Sequence, residues 1–282
     1  KEGLVRMCAC RGTAGFAHLS CLAEQAKILV AEAEENNLDL KVLNARWNRW
    51  HTCSLCKQEY HGVVRCALGW ACWKTYVGRQ EGDEVLSLAM SLLGNGLTQA
   101  GHHEDALSVQ GATLAMLRRL GASEYNLLTL QGNLAGTYEA LRRHEEAIRV
   151  RKAVYYERLR ICGREEEGTL RAANNYAWSL CHLRRFEEAK TLMRKWIPVA
   201  RRVLGESSDL TLRMRWVYAR ALLDPAAMLD DLREAVTILE EIERTARRVL
   251  GGEHPLAMWI EGDFQKARAA LAARDGDVSS VC

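Results

Sequence analysis

A phrase repeated four times constrains this chain more than any other feature. It reads HHEDAL at 102–107, RHEEAI at 143–148, RFEEAK at 185–190 and DLREAV at 231–236. Its alanines, Ala106, Ala147, Ala189 and Ala235, stand 41, 42 and 46 residues apart. A period of that length marks stacked supersecondary units, none of which can bury its apolar face alone. Apolar helical text precedes the later phrases as QGNLAGTY, NNYAWSL and RWVYARAL. The units close on RRLGASEYN, RLRICGREEEGTL, RRVLGESSDL and RRVLGGEHPL, and the glycines at 121, 163, 205 and 251 predict helix stops. Each unit therefore reads as helix, short turn, helix, loop. Four units fit, and AMWIEGDFQKARAALAARDG begins a fifth or forms a cap. The longer last period predicts a longer turn around Asp224 and Pro225.

Composition agrees with a helical chain. Only 3 Pro occur in 282 residues, which favours long helices over a loop-rich or all-β architecture. Hydrophobic residues at 48% and charged residues at 27% are ordinary for a globular protein. A net charge of +3 argues for neither nucleic acid nor an anionic membrane as partner. No run of 18 apolar residues occurs, so no membrane span is expected. The first residues have no apolar signal core and no initiator Met, so the chain is expected to be part of a longer protein.

The start of the chain carries a different chemistry. Six of the ten cysteines fall within the first 66 residues. They include Cys8-Ala-Cys10, then His18 and Cys21, then Cys53-Ser-Leu-Cys56. An even cysteine count also suits disulfides, but that reading needs an export signal. A reducing compartment, cytosolic or nuclear, is expected instead. Zinc takes four soft or borderline ligands at tetrahedral corners, and a short turn between two cysteines presents both thiolates along one edge. Such bonds replace the core that a small loop-rich module cannot build. His61, Cys66 and Cys72 follow the last pair and are alternative ligands in principle, but Cys66 and Cys72 sit on an expected helix and read as buried residues. Cys162 and Cys181 read as core residues and Cys282 as part of the tail.

Spacing and filler at Cys10-Arg11-Gly12-Thr13, Phe16, His18 and Cys21-Leu22 resemble the RING-CH (MARCH-type) zinc finger. Plant-homeodomain fingers share the ligand order, but they carry Trp two residues before the last pair, where this chain has His51. The resemblance implies cross-braced structural zinc, with Cys8, Cys10, Cys53 and Cys56 forming one site. It assigns His18 and Cys21 to a second site, whose first two cysteines would lie before Lys1. It also implies a ubiquitin ligase that orients a charged ubiquitin-conjugating enzyme without a covalent active site.

The repeats resemble the tetratricopeptide (TPR) units of kinesin light chains, on Asn133-Leu134-Ala135 with Tyr138, Glu145-Glu146-Ala147 and Leu250-Gly251-Gly252-Glu253-His254-Pro255. That likeness implies a mostly α chain: a small zinc-stabilised module followed by an α-solenoid of TPR helix pairs with a groove for a protein or peptide. Asn133 and Asn175 occupy the inner-helix position that bonds a peptide backbone in similar repeats, or else bond a neighbouring helix. The basic run from Arg142 to Arg160 is interleaved with Glu145, Glu146 and Glu157 and reads as a solvated helix face. No phosphate loop, nucleophile elbow or HExxH occurs. The expected organisation is a partial finger over 1–60, a connecting helix over 61–82, repeats over 83–270 and a tail over 271–282. The expected function is recruitment of proteins to a RING-CH-type ligase, or alternatively a non-enzymatic scaffold whose finger is structural.

Overall fold

The computed structural model describes residues 2–8, 10 and 13–279, without the side chains of Leu40 and residues 275–279. Arg11, Gly12 and Cys282, named above, lie outside the described residues. The chain divides into two compact units, Lys1–Arg143 and His144–Cys282, each described by itself.

The first unit opens with two short antiparallel strands, β1 (Leu4–Val5) and β2 (Ala17–His18). Helices α1 (Leu19–Glu35) and α2 (Leu40–Trp47) follow, then a turn of tighter helix over Asn48–Trp50. Asp39 starts α2 by accepting a hydrogen bond from the Val42 N–H at 2.9 Å. Helices α3 (Gly62–Tyr76), α4 (Glu84–Gln99), α5 (His103–Arg119) and α6 (Glu124–Ala140) complete the unit.

Helix α3 is more than a connector. Its Cys72 and Tyr76 join Ala26, Val30, Trp47 and Trp50 of the first segment in one core, together with Val85, Ala89 and Leu92 of α4. Glycines permit the close approach of α3 to α4. A Cβ on Gly69 would lie 3.1 Å from the Leu92 carbonyl oxygen, and one on Gly96 would lie 2.9 Å from Cys66 Cα. The spacing of Val63, Val64, Ala67 and Leu68 predicts the helix, but not its pairing with α4.

The second unit holds α7 (His144–Cys162), α8 (Glu167–His182), α9 (Phe186–Leu204), α10 (Asp209–Leu222), α11 (Leu229–Val249) and α12 (Pro255–Ser279). Residues 271–279 continue α12 rather than forming a separate tail. Consecutive helices pack as pairs.

The repeated phrase now has a physical account. It opens α5, α7, α9 and α11, and each of these helices carries two acidic residues in its first turn. Arginines occupy the last turn of each. Both placements complement the helix dipole. All four phrase alanines are fully buried, so each occupies a helix contact that leaves room for a methyl group. The stop glycines at 121, 163, 205 and 251 all have positive φ, between 65° and 90°. The turns between α4 and α5 and between α8 and α9 also use a left-handed residue, Gly101 and Arg184 respectively. The long turn after α10 is closed by Asp224, whose Oδ1 accepts from the Ala226 N–H at 2.9 Å.

Candidate functional site

The four cysteines assigned to one site come together. The Sγ atoms of Cys8, Cys10, Cys53 and Cys56 all lie within 4.8 Å of one another, and Cys10 and Cys53 are 3.7 Å apart. Thiolates at zinc's usual bond length stand about 3.8 Å apart along a tetrahedron edge. The donor set therefore fits a tetrahedral thiophilic cation.

Local folding explains the convergence. Cys53 and Cys56 sit on a tight turn, in which the Cys53 N–H donates to Gln58 O at 2.9 Å and the Lys57 N–H to Cys53 O at 3.1 Å. Lys57 takes a left-handed φ of 61° to close it. The carbonyl of Met7, two residues past β1, accepts from the His61 N–H at 3.0 Å, which pins the first cysteine pair beside the turn. Gly15, with φ 80°, seals the cluster, because a Cβ there would lie 2.6 Å from Cys10 Cβ and 2.8 Å from its sulfur. Tyr60, Val64 and Leu68 form the apolar floor with Cys53.

Burial pushes the Cys8 and Cys10 thiols up from their ordinary value. Burial acts on Cys53 in the same direction. There the N–H groups of Cys56 and Leu55 and the thiols of Cys10 and Cys8 outweigh it, bringing Cys53 down to about 7. Backbone N–H groups aimed at sulfur prepare it to be a thiolate, the form a metal binds.

His18 and Cys21 lie elsewhere. His18 ends β2 and Cys21 sits in the first turn of α1, with Nδ1 and Sγ 3.9 Å apart. Both are exposed, and neither belongs to the four-sulfur cluster. Cys66 and Cys72 are buried in α3 and Cys181 in α8. The nine described cysteines are all free thiols, so disulfides do not account for them.

A second candidate site lies within the second unit. A groove of about 550 Å³ crosses α8, α10 and α12. Asn175 lines it, whereas Asn133 is half-buried on α6 of the first unit. The wall is a tryptophan ladder. Trp178 and Trp216 have ring centroids 5.1 Å apart, and Trp216 and Trp259 stack at 5.8 Å and 14°. The Arg220 guanidinium lies 4.7 Å above Trp178 and 5.4 Å above Trp216. The nearly buried Asp263 accepts from Trp216 Nε1 at 2.9 Å and from Lys266 at 3.0 Å, and pairs with Arg220 at 3.4 Å.

Sequence reasoning missed the ladder and Asp263. Repeat register carried a signal for the latter. Counting twelve residues from each stop glycine gives Asn133, Asn175, Val217 and Asp263. Nothing in the repeat pattern marks the three tryptophans, which do not share one register.

The sequence profile of the tetratricopeptide repeat family matches residues 169–209, which cover most of α8, α9 and the start of α10. The fold is a TPR-type helical repeat. The TPR-like repeats of a kinesin-light-chain-type protein from Podosopora anserina superpose with a TM-score of 0.50 at 14% identity. That superposition covers 82% of this chain and 97% of the other. A Rap protein complexed with competence and sporulation factor also gives 0.50, at 12% identity, over 90% of this chain and 72% of that one. No curated protein matches the chain in sequence. Repeats of this class are suited to protein–protein interaction. No helix among the described residues is long and apolar enough to cross a membrane.

Proposed function

We propose that this chain recruits partner proteins along its TPR groove and uses a zinc-braced RING-CH-like module to hold a ubiquitin-conjugating enzyme beside them. The observation that carries this reading is the four-sulfur cluster, whose spacing suits zinc and whose sequence spacing resembles that finger family. Zinc bound there would be structural, because four thiolates fill a tetrahedral shell and leave no open position.

Catalysis on this reading is by placement. The module orients a charged conjugating enzyme, and the groove raises the concentration of the target lysine beside the thioester. No residue of this chain forms a covalent intermediate. The ligase reading assigns His18 and Cys21 to a second site of the finger.

The test is discharge of ubiquitin from a panel of charged conjugating enzymes onto free lysine by the full-length protein. The reading expects acceleration that is lost with Cys53→Ser. No acceleration with any enzyme of the panel overturns it.

A scaffold reading has its own supporting observation. The cysteine module shares its core with α3 and α4 inside one compact unit, as a folding cap would. Zinc binding with no ubiquitin discharge favours the scaffold.

A further inference from the structure

The groove on α8, α10 and α12 has a composition that selects its occupant. Its lining includes four cations, Arg151, Arg213, Arg220 and Lys266, against the carboxylate of Asp263 in the lining and that of Asp209, which pairs with Arg213 at 2.8 Å. A second cavity of about 490 Å³ shares Arg220, Asp263 and Lys266 with the first, and adds Arg184 and Arg274 against Asp224. The two cavities therefore adjoin at these side chains to make a trough, and each part has more cations than carboxylates in its lining. Lys266 is 77% exposed at the rim, where it can meet a solvated anion.

The apolar part of the trough is equally specific. Arg220 lies over Trp178 and Trp216, so the open aromatic surface is that of Trp259 at the end of the ladder. Trp259 is 50% exposed and its neighbour Met258 is 49% exposed. Asn174 supplies a polar contact at the floor. It is only 7% exposed and lines the groove, yet its Oδ1 accepts no hydrogen bond among the described residues. A buried orphan acceptor of this kind wants a donor such as a peptide N–H.

We infer that the trough binds an extended, acidic segment of a partner protein that places an aromatic side chain on Trp259 and carboxylates along Lys266, Arg220 and Arg184. This rests on the groove being the recruiting surface proposed above. Charge complementarity selects the sign of the ligand, and the exposed end of the ladder selects the planar group. Asp263 holds Trp216, Arg220 and Lys266 from below, so it acts as a positioning residue.

The probes are short fluorescent copolymers of glutamate with tyrosine, of lysine with tyrosine, and of glutamate alone, titrated into residues 1–282 and followed by anisotropy. The inference expects the glutamate–tyrosine copolymer to bind best, with salt-dependent affinity. Trp259→Ala and Lys266→Glu should each weaken it by at least about tenfold. Both side chains are half exposed or more, and circular dichroism checks that each variant keeps its helices. Equal binding of the glutamate homopolymer overturns the aromatic contact. Binding of the lysine–tyrosine copolymer that is lost in Trp259→Ala overturns the acidic preference while leaving the groove as a recruiting surface. Binding of every copolymer that is insensitive to both variants overturns the groove reading as well.

Discussion

Arg79 grips the carboxylate of Glu34 with two parallel hydrogen bonds of 2.7 Å, one from each terminal guanidinium nitrogen. The pair ties the C-terminal end of α1, in the cysteine-bearing segment, to the turn that joins α3 and α4. Asp83, which caps α4 through the N–H groups of Val85 and Leu86, also accepts from Arg79 at 3.3 Å. One guanidinium thus links the module, a helix cap and, by stacking at 4.8 Å, the Tyr76 ring. The neighbouring carboxylate of Glu34 raises the Arg79 pKa further above its ordinary value.

A double-mutant cycle on Glu34→Ala and Arg79→Ala should measure a coupling of about 1 kcal/mol, as for a bidentate pair that is partly exposed. Both side chains are about one-third exposed, at 30% and 32%, so salt should reduce the coupling. Urea unfolding of the four proteins measures it. Additivity of the two single changes would mean that the pair does not hold module and repeats together.

Gly15→Ala should weaken zinc binding at the four-cysteine cluster without unfolding the repeats. Its methyl group would overlap Cys10 Cβ and sulfur, and no flexible side chain there can give way. Competition with a chromophoric chelator should show zinc affinity lower by roughly tenfold or more, the scale seen for residues that support metal ligands. Helical circular dichroism should be retained.

Much of this architecture is legible in the sequence because repeats average their own noise. The phrase alanines, the paired acidic residues and the stop glycines each recur four times, and each has one physical role at every recurrence. Pairing of α3 with α4 is not legible, because Gly69 and Gly96 matter only through a helix contact absent from local periodicity. Cys8, Cys10, Cys53 and Cys56 are legible as one group because the short spacing within each pair is the spacing a metal site would need. Their closure, by contrast, depends on Gly15 and on the backbone N–H groups aimed at Cys53. The tryptophan ladder stayed hidden because Trp178, Trp216 and Trp259 meet only after their helices stack.

Cys181 makes a pH-dependent prediction. Burial pushes its thiol up from an ordinary value near 9 to about 12. A folded pKa raised above the unfolded one favours the neutral thiol. The corresponding stability is present below about 9 and is lost as pH rises toward 12. At pH 8.5, Cys181 should therefore resist iodoacetamide in the folded protein and react only on unfolding, as mass mapping of alkylated peptides would show. Rapid labelling under native conditions would place Cys181 outside the α8 core.

The measurement that bears most directly on the whole account is the zinc-to-protein ratio of residues 1–282 by native mass spectrometry, with Cys53→Ser beside it. The account predicts one zinc ion per chain, lost in Cys53→Ser while the repeats stay helical. A chain that folds and carries no zinc, or zinc that survives Cys53→Ser, would contradict it.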